Sequence, residues 1–123
     1  MARTALDLTR EEWRAYQPPD HSNKDEAAER WERAVEVARR AADLLRARYG
    51  ATQVIAFGSL AHRSSFTPWS DIDLAASGIL DSEFFRAVAA VTGLSAEFEI
   101  DLVDMKTCRD ALRQRIEAEG IEI

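Results

Sequence analysis

Several features are scarce in this sequence, and each scarcity narrows the class of protein. The single cysteine, Cys108, has no partner for an intrachain disulfide, which fits a reducing compartment. No apolar run approaches the ~20 residues that span a bilayer, and charged residues follow Met1 closely where a signal peptide needs an apolar stretch. We therefore expect a cytoplasmic protein with no membrane partner.

Concentrated positive charge is also lacking. The chain carries 16 Lys and Arg against 22 Asp and Glu, a net charge of −6, and its arginines are scattered among acids. A site that clamps a nucleic-acid backbone needs a basic stripe or patch. The composition therefore disfavours nucleic acid as the main partner.

The length and the hydrophobic content are those of one domain with its own core. The chain has 123 residues, of which 46% are hydrophobic. Pro18 and Pro19 interrupt it early, because proline donates no backbone hydrogen bond. We predict an N-terminal arm over residues 1–21, with a short helix through Trp13 and Tyr16, and a folded domain over residues 22–123.

Hydrophobic periodicity predicts the elements of this domain. Helices are expected from a Ser22 cap to Tyr49, from a Ser82 cap to Val91, and from a start formed by Thr107 and Asp110 to Glu119. Strands are expected over residues 53–57, 71–76, 97–105 and, at the edge, 121–123. This order predicts an α+β fold, a small mixed β-sheet with helices packed on one side.

Asp71 and Asp73 are the first candidates for chemistry. They lie two apart on a predicted strand, so both carboxylates point to one face while Ile72 and Leu74 point into the core. Two adjacent carboxylates repel each other unless a cation lies between them, and magnesium takes such oxygen ligands. Alone, an Asp-x-Asp pair is more often a solvated strand face.

Gly58 and Ser59 end the preceding strand. Glycine there lets the backbone approach a ligand closely, and a helical turn over residues 60–63 would aim free N–H groups at an anion. The alternative is ordinary turn chemistry. On the third strand, Asp101 lies where it would complete a three-carboxylate cluster, with Glu99 on the same face as its rival.

The segment over residues 57–74 (FGSLAHRSSFTPWSDIDL) strongly resembles the signature of the DNA polymerase β-like nucleotidyltransferase superfamily. More narrowly, residues of about 30–123 resemble the minimal nucleotidyltransferases encoded beside HEPN-domain proteins in prokaryotic toxin–antitoxin pairs. The ending over residues 100–123 is similar to theirs, with a strand, a helix and a late glycine. Many members carry a glycine and an arginine where this chain has residues 61–65 (AHRSS), which is a departure from the pattern.

The resemblance implies a role for each matching residue. Gly58 and Ser59 would hold the triphosphate of ATP, and Ser70 would be a further nucleotide contact. Asp71 and Asp73 would bind magnesium, for which manganese can substitute. Asp101 would bind a second ion and help deprotonate the attacking hydroxyl.

Arg63 is a nucleotide-binding candidate on separate grounds. Its planar fork suits phosphate oxygens, and the alternative is a solvated loop arginine.

The resemblance also implies a polymerase β-like palm fold and an antitoxin that transfers AMP from ATP to a hydroxyl of a HEPN ribonuclease toxin. A protein acceptor is expected because no further segment is available to orient a small acceptor. Exposed-aromatic candidates for the partner contact are Trp13, Tyr16, Phe66 and Trp69. The alternatives are a stand-alone enzyme acting on a small hydroxyl compound, for instance as a homodimer, and a non-catalytic antitoxin that masks its partner.

Overall fold

The computed structural model describes the backbone of residues 20–123 and the side chains of residues 26–123. Its elements are α1 (Asp20–Tyr49), β1 (Gln53–Phe57), two short 3-10 turns (Gly58–Ala61 and Arg63–Ser65), β2 (Ile72–Ser77), α2 (Asp81–Thr92), β3 (Ile100–Asp104), α3 (Asp110–Glu119) and β4 (Ile121–Glu122). This order confirms the predicted α+β class. The short helix predicted around Trp13 and Tyr16 lies outside the described residues. None of the described helices is long and apolar enough to cross a membrane.

The four strands form one mixed sheet in the order β3-β2-β1-β4. β1 is antiparallel to both β2 and β4, whereas β2 and β3 are parallel and connected through α2. The edge strand predicted over residues 121–123 is confirmed by β4, which places Ile121 opposite Ala56.

One face of the sheet is covered by α1 and α2. The apolar stripe of α1 consists mainly of alanines with almost no exposed surface, which lets the helix approach the sheet closely. The stripe packs against Val54 of β1 and Leu74 of β2, which are completely buried, and Ala87 and Val91 of α2 join the same cluster. Burial of each large aliphatic side chain stabilises the fold by about 1.5–3 kcal/mol.

The opposite face is covered by α3, which corrects the expectation that helices pack on one side. Ile116 of α3 is completely buried against Ile55 and Ala75, together with Met105. Val54, Ile55 and Ala56 are all buried, and a run buried on both faces needs a layer on each side of the sheet. The apolar sequence of β1 therefore already indicates that both faces of the sheet are covered.

Element boundaries also differ from the predicted ones. α1 begins at Asp20, so Ser22 lies inside the helix; both are residue types favoured at helix starts, and the sequence alone does not choose between them. Likewise, α2 begins one residue before Ser82 and α3 begins at Asp110, after a turn that contains Thr107.

β3 starts at Ile100 rather than at residue 97. The Ser95 hydroxyl accepts hydrogen bonds from the N–H groups of Glu97 and Phe98, at 3.1 Å and 3.2 Å, and so holds this segment in a turn. Arg33 of α1 also binds the Glu97 carboxylate, at 2.7 Å. The turn before β3 is thereby tied to α1.

Candidate active site

Three strand ends meet at one edge of the sheet. Because β2 is antiparallel to β1 and parallel to β3, the end of β1 lies beside the starts of β2 and β3. The register pairs Phe57 with Asp73, and Asp73 with Asp101. Two of the predicted carboxylate positions are therefore direct neighbours on adjacent strands.

Asp73 lies in the most perturbed electrostatic environment of the site. Its neighbours Ile72 and Leu74 are completely buried, and the alternation of the strand turns Asp73 to the face on which α3 packs. Burial, together with the negative charges of Asp101 and Asp71, raises the pKa of Asp73 to about 6. A cation bound here would relieve both effects.

Gly58 makes room for Asp73. Its backbone has φ of +68°, a left-handed conformation that side chains disfavour. A Cβ atom at this position would lie 2.5 Å from the Oδ2 atom of Asp73. The absence of a side chain at Gly58 thus lets the carboxylate of Asp73 lie against the backbone turn, while the predicted close approach of this backbone to a ligand stays a prediction.

The turn that follows is anchored to the core. The carbonyl of Leu60, whose side chain is buried, accepts a hydrogen bond of 3.0 Å from Nε1 of Trp31 in α1. Further along, Phe66 is buried against Phe98, with ring centroids 6.3 Å apart. The expectation that Phe66 is exposed was wrong, because its ring fills this part of the core, whereas Trp69 is 86% exposed.

A cleft of about 450 Å³ opens beside this turn; it is lined by Phe57, Gly58, Ser59, His62, Ser65, Arg115 and Glu119. Arg115 and Glu119 belong to α3, whose end is held near β1 by the pairing of β4. The carboxylate of Glu119 lies 3.7 Å from Nε2 of His62. Sequence reasoning missed Arg115, because only the topology shows that α3 returns to this edge.

Two residues that were predicted to contact the nucleotide, Arg63 and Ser70, have other neighbours in the structure. The guanidinium of Arg63 lies 5.0 Å above the ring of Trp31, and Arg63 is not among the residues that line the cleft. The hydroxyl of Ser70 accepts a hydrogen bond of 2.8 Å from the N–H of Thr67 and stabilises the turn before Asp71. Nucleotide binding by either residue stays a prediction.

The two rival acids near the start of β3 have different positions. Asp101 lies opposite Asp73, and its charge contributes to the raised pKa of that residue. Glu99 lies before the strand, where its carbonyl accepts a hydrogen bond from Ile72. Asp104, at the far end of β3, accepts a hydrogen bond from the Lys106 N–H and so stabilises the turn that follows the strand.

The donor set of the site suits magnesium. Within residues 26–123, whose side chains are described, no three His, Cys, Asp or Glu side chains are arranged to hold a metal ion. Three carboxylates repel one another at ligand distance unless a cation draws them together. Carboxylate oxygens are the ligands that magnesium prefers, and a bound ion would offset both the burial and the repulsion that raise the pKa of Asp73. The residues present therefore fit the ion, although they do not form a closed coordination shell.

Comparison with solved structures identifies the fold. A structure described as that of a proposed minimal nucleotidyltransferase is 27% identical to the chain and has a TM-score of 0.61; the match covers 76% of this chain and 95% of that one. A toxin–antitoxin structure with AMP-PNP is 20% identical, with a TM-score of 0.58 and coverage of 69% and 70%. A complex of the tri-AMPylated Shewanella oneidensis HEPN toxin with its MNT antitoxin is 18% identical, with a TM-score of 0.55 and coverage of 72% and 70%. Neither a protein-family model nor a curated protein sequence matches the chain.

The class of structure follows from the sheet, the strand-end carboxylates and these matches: the chain has a nucleotidyltransferase fold. Within that class, its fold is the minimal one found in MNT proteins of toxin–antitoxin pairs. The resemblance drawn from residues 57–74 is thereby confirmed at the level of the fold.

Proposed function

We propose that the protein is a magnesium-dependent nucleotidyltransferase that transfers AMP from ATP to a hydroxyl of a HEPN-type ribonuclease toxin and so acts as its antitoxin. The observation that carries this proposal is the environment of Asp73. It contacts the Gly58 turn, lies opposite Asp101 and has a pKa raised to about 6. Strongly perturbed carboxylates at a strand edge are typical of functional sites.

The positions of the site residues support the following roles. Asp71 and Asp73 would hold magnesium, which when bound would neutralise phosphate oxygens and favour attack at phosphorus. Asp101 would hold a second ion and accept the proton of the acceptor hydroxyl. Gly58 and Ser59 would offer backbone N–H groups and a hydroxyl to the triphosphate.

The transfer itself is a displacement at the α-phosphorus of ATP. The acceptor oxygen forms a bond to this phosphorus, the bond from the α-phosphorus to the oxygen that bridges to the β-phosphate breaks, and pyrophosphate leaves. The hydroxyl proton passes to the Asp101 carboxylate. The chain's own contribution is to orient the phosphates and remove this proton, since such reactions depend mostly on positioning and electrostatics.

The structural neighbours support both the nucleotide and the partner. One is a toxin–antitoxin pair with AMP-PNP, and another holds a HEPN toxin that carries three AMP groups. Trp69, which lies two residues before Asp71 and is 86% exposed, supplies an aromatic side chain for contact with a protein acceptor.

Transfer of label to a partner tests this function. The protein is incubated with ATP labelled at the α-phosphate, magnesium and the HEPN-type protein encoded beside it. We expect label on a hydroxyl residue of the partner, none after chelation of magnesium, and none with Asp73→Asn. Asp43→Asn is the matched control, because this acid is exposed on α1 away from the site, and it should retain full transfer.

Two results would reject the proposal. Label found only on small hydroxyl compounds would indicate the stand-alone enzyme. A neutralised toxin that carries no label would indicate an antitoxin that masks its partner by binding alone.

A further inference from the structure

We infer that Arg115 of α3 binds the β- and γ-phosphates of the nucleotide, so that the cleft beside Gly58 and Ser59 is the site of the leaving pyrophosphate. This inference rests on the proposed function and adds to it a residue outside the signature segment over residues 57–74. It assigns a role to the arginine that lines the cleft.

The position of the cleft supports this assignment. It begins at Phe57 and Gly58, next to Asp73, and extends over Ser59 to α3. A nucleotide whose α-phosphate lies at the carboxylate edge would therefore direct its remaining phosphates into the cleft. The cleft has a volume of about 450 Å³, which is ample for a hydrated diphosphate.

The charges of the cleft support an anionic occupant. The Arg115 side chain is exposed, and within the described part of the chain its guanidinium makes no hydrogen bond or ion pair. By contrast, the guanidinium of the nearby Arg113 donates hydrogen bonds to the carbonyls of Met105, Lys106 and Cys108. A guanidinium without a partner has its fork available for phosphate oxygens.

Glu119 is the opposing group in the same cleft. It lies one turn after Arg115 on the same face of α3, and its carboxylate is near His62. A carboxylate beside a phosphate site lowers anion affinity by repulsion. Removing its charge should therefore tighten binding of the same ligands that loss of Arg115 weakens.

Calorimetry with magnesium and ATP, inorganic pyrophosphate or AMP tests the inference. We expect Arg115→Ala to weaken ATP and pyrophosphate binding by about 10- to 100-fold, the usual value of hydrogen bonds to a charged group, and to leave AMP binding unchanged. Arg115→Lys should recover part of the loss, and Glu119→Gln should strengthen ATP binding. Arg109→Ala is the matched control, because it removes the same charge from the segment just before α3, outside the cleft.

The outcomes separate this inference from the proposed function. Unchanged ATP binding by Arg115→Ala would overturn the role of Arg115 and leave the nucleotidyltransferase proposal intact. An equal loss of AMP binding would overturn the assignment to the β- and γ-phosphates. Failure of the unmutated protein to bind ATP with magnesium would overturn the proposed function, and the inference with it.

Discussion

At the scale of single residues, Gly58 carries two constraints that can be separated experimentally. It has a left-handed backbone, and it leaves space for the carboxylate of Asp73. Gly50 has a similar φ of +73°, but a Cβ atom there would meet nothing within 4 Å. The chain therefore contains its own control for the conformational strain.

Replacement of each glycine by alanine distinguishes the two constraints. We expect Gly50→Ala to cost about 1 kcal/mol of stability and to leave ATP binding unchanged, because only the backbone conformation is disfavoured. Gly58→Ala carries the same strain and also displaces Asp73, so ATP binding in magnesium should fall by at least about tenfold. Thermal unfolding and calorimetry measure the two effects, and equal ATP affinities for the two variants would contradict the role of Gly58.

At the scale of elements, the sequence predicted the strands of the site better than the layers around them. The apolar run of β1 and the alternation of β2 are local patterns, so both strands were found within one residue. The position of α3 is a tertiary property. Its only buried residue, Ile116, does not indicate which face of the sheet it covers. The cleft and Arg115 were consequently not predictable, whereas local patterns singled out Asp71, Asp73 and Gly58, whose roles stay predictions.

The parallel register of β2 and β3 leads to a prediction about the two acids near the start of β3. Asp101 lies opposite Asp73, while Glu99 precedes the strand. We therefore expect Asp101→Asn to abolish AMP transfer with the fold intact, and Glu99→Gln to retain substantial activity. Transfer assays, with circular dichroism as the check of folding, compare the variants. The reverse order of losses would assign the role to Glu99.

At the scale of the whole molecule, the site unites segments that are far apart in sequence. The turn after β1, the starts of β2 and β3, and α3 all reach one edge of the sheet. The sheet contributes the carboxylates, and the turn and α3 contribute the groups suited to phosphate. This division places Asp73 in a half-buried position beside the like charges of Asp101 and Asp71, and part of the folding free energy is lost to its desolvation and to their repulsion.

That loss predicts a pH dependence of global stability. The pKa of Asp73 is raised from 3.8 to about 6 in the folded protein, so between these values the folded state binds more protons than the unfolded state. Stability therefore falls as the pH rises through this window. Because Asp73 is half-exposed, solvent screening reduces the effect, and we expect Asp73→Asn to stabilise the unliganded protein by about 1 kcal/mol at neutral pH.

The stabilisation should disappear at acidic pH, where Asp73 is protonated in both states. Thermal unfolding without metal, at pH 7.5 and again below the ordinary pKa of 3.8, compares the unmutated protein with Asp73→Asn. The variant should unfold about 3–6 °C higher at the neutral pH and at the same temperature as the unmutated protein at the acidic one. Asp43→Asn, the exposed control on α1, should show no such difference between the two conditions. An Asp73→Asn variant that is less stable at neutral pH would mean that the charge of Asp73 is compensated in the folded protein, and the case for a cation at this edge would lose its electrostatic basis.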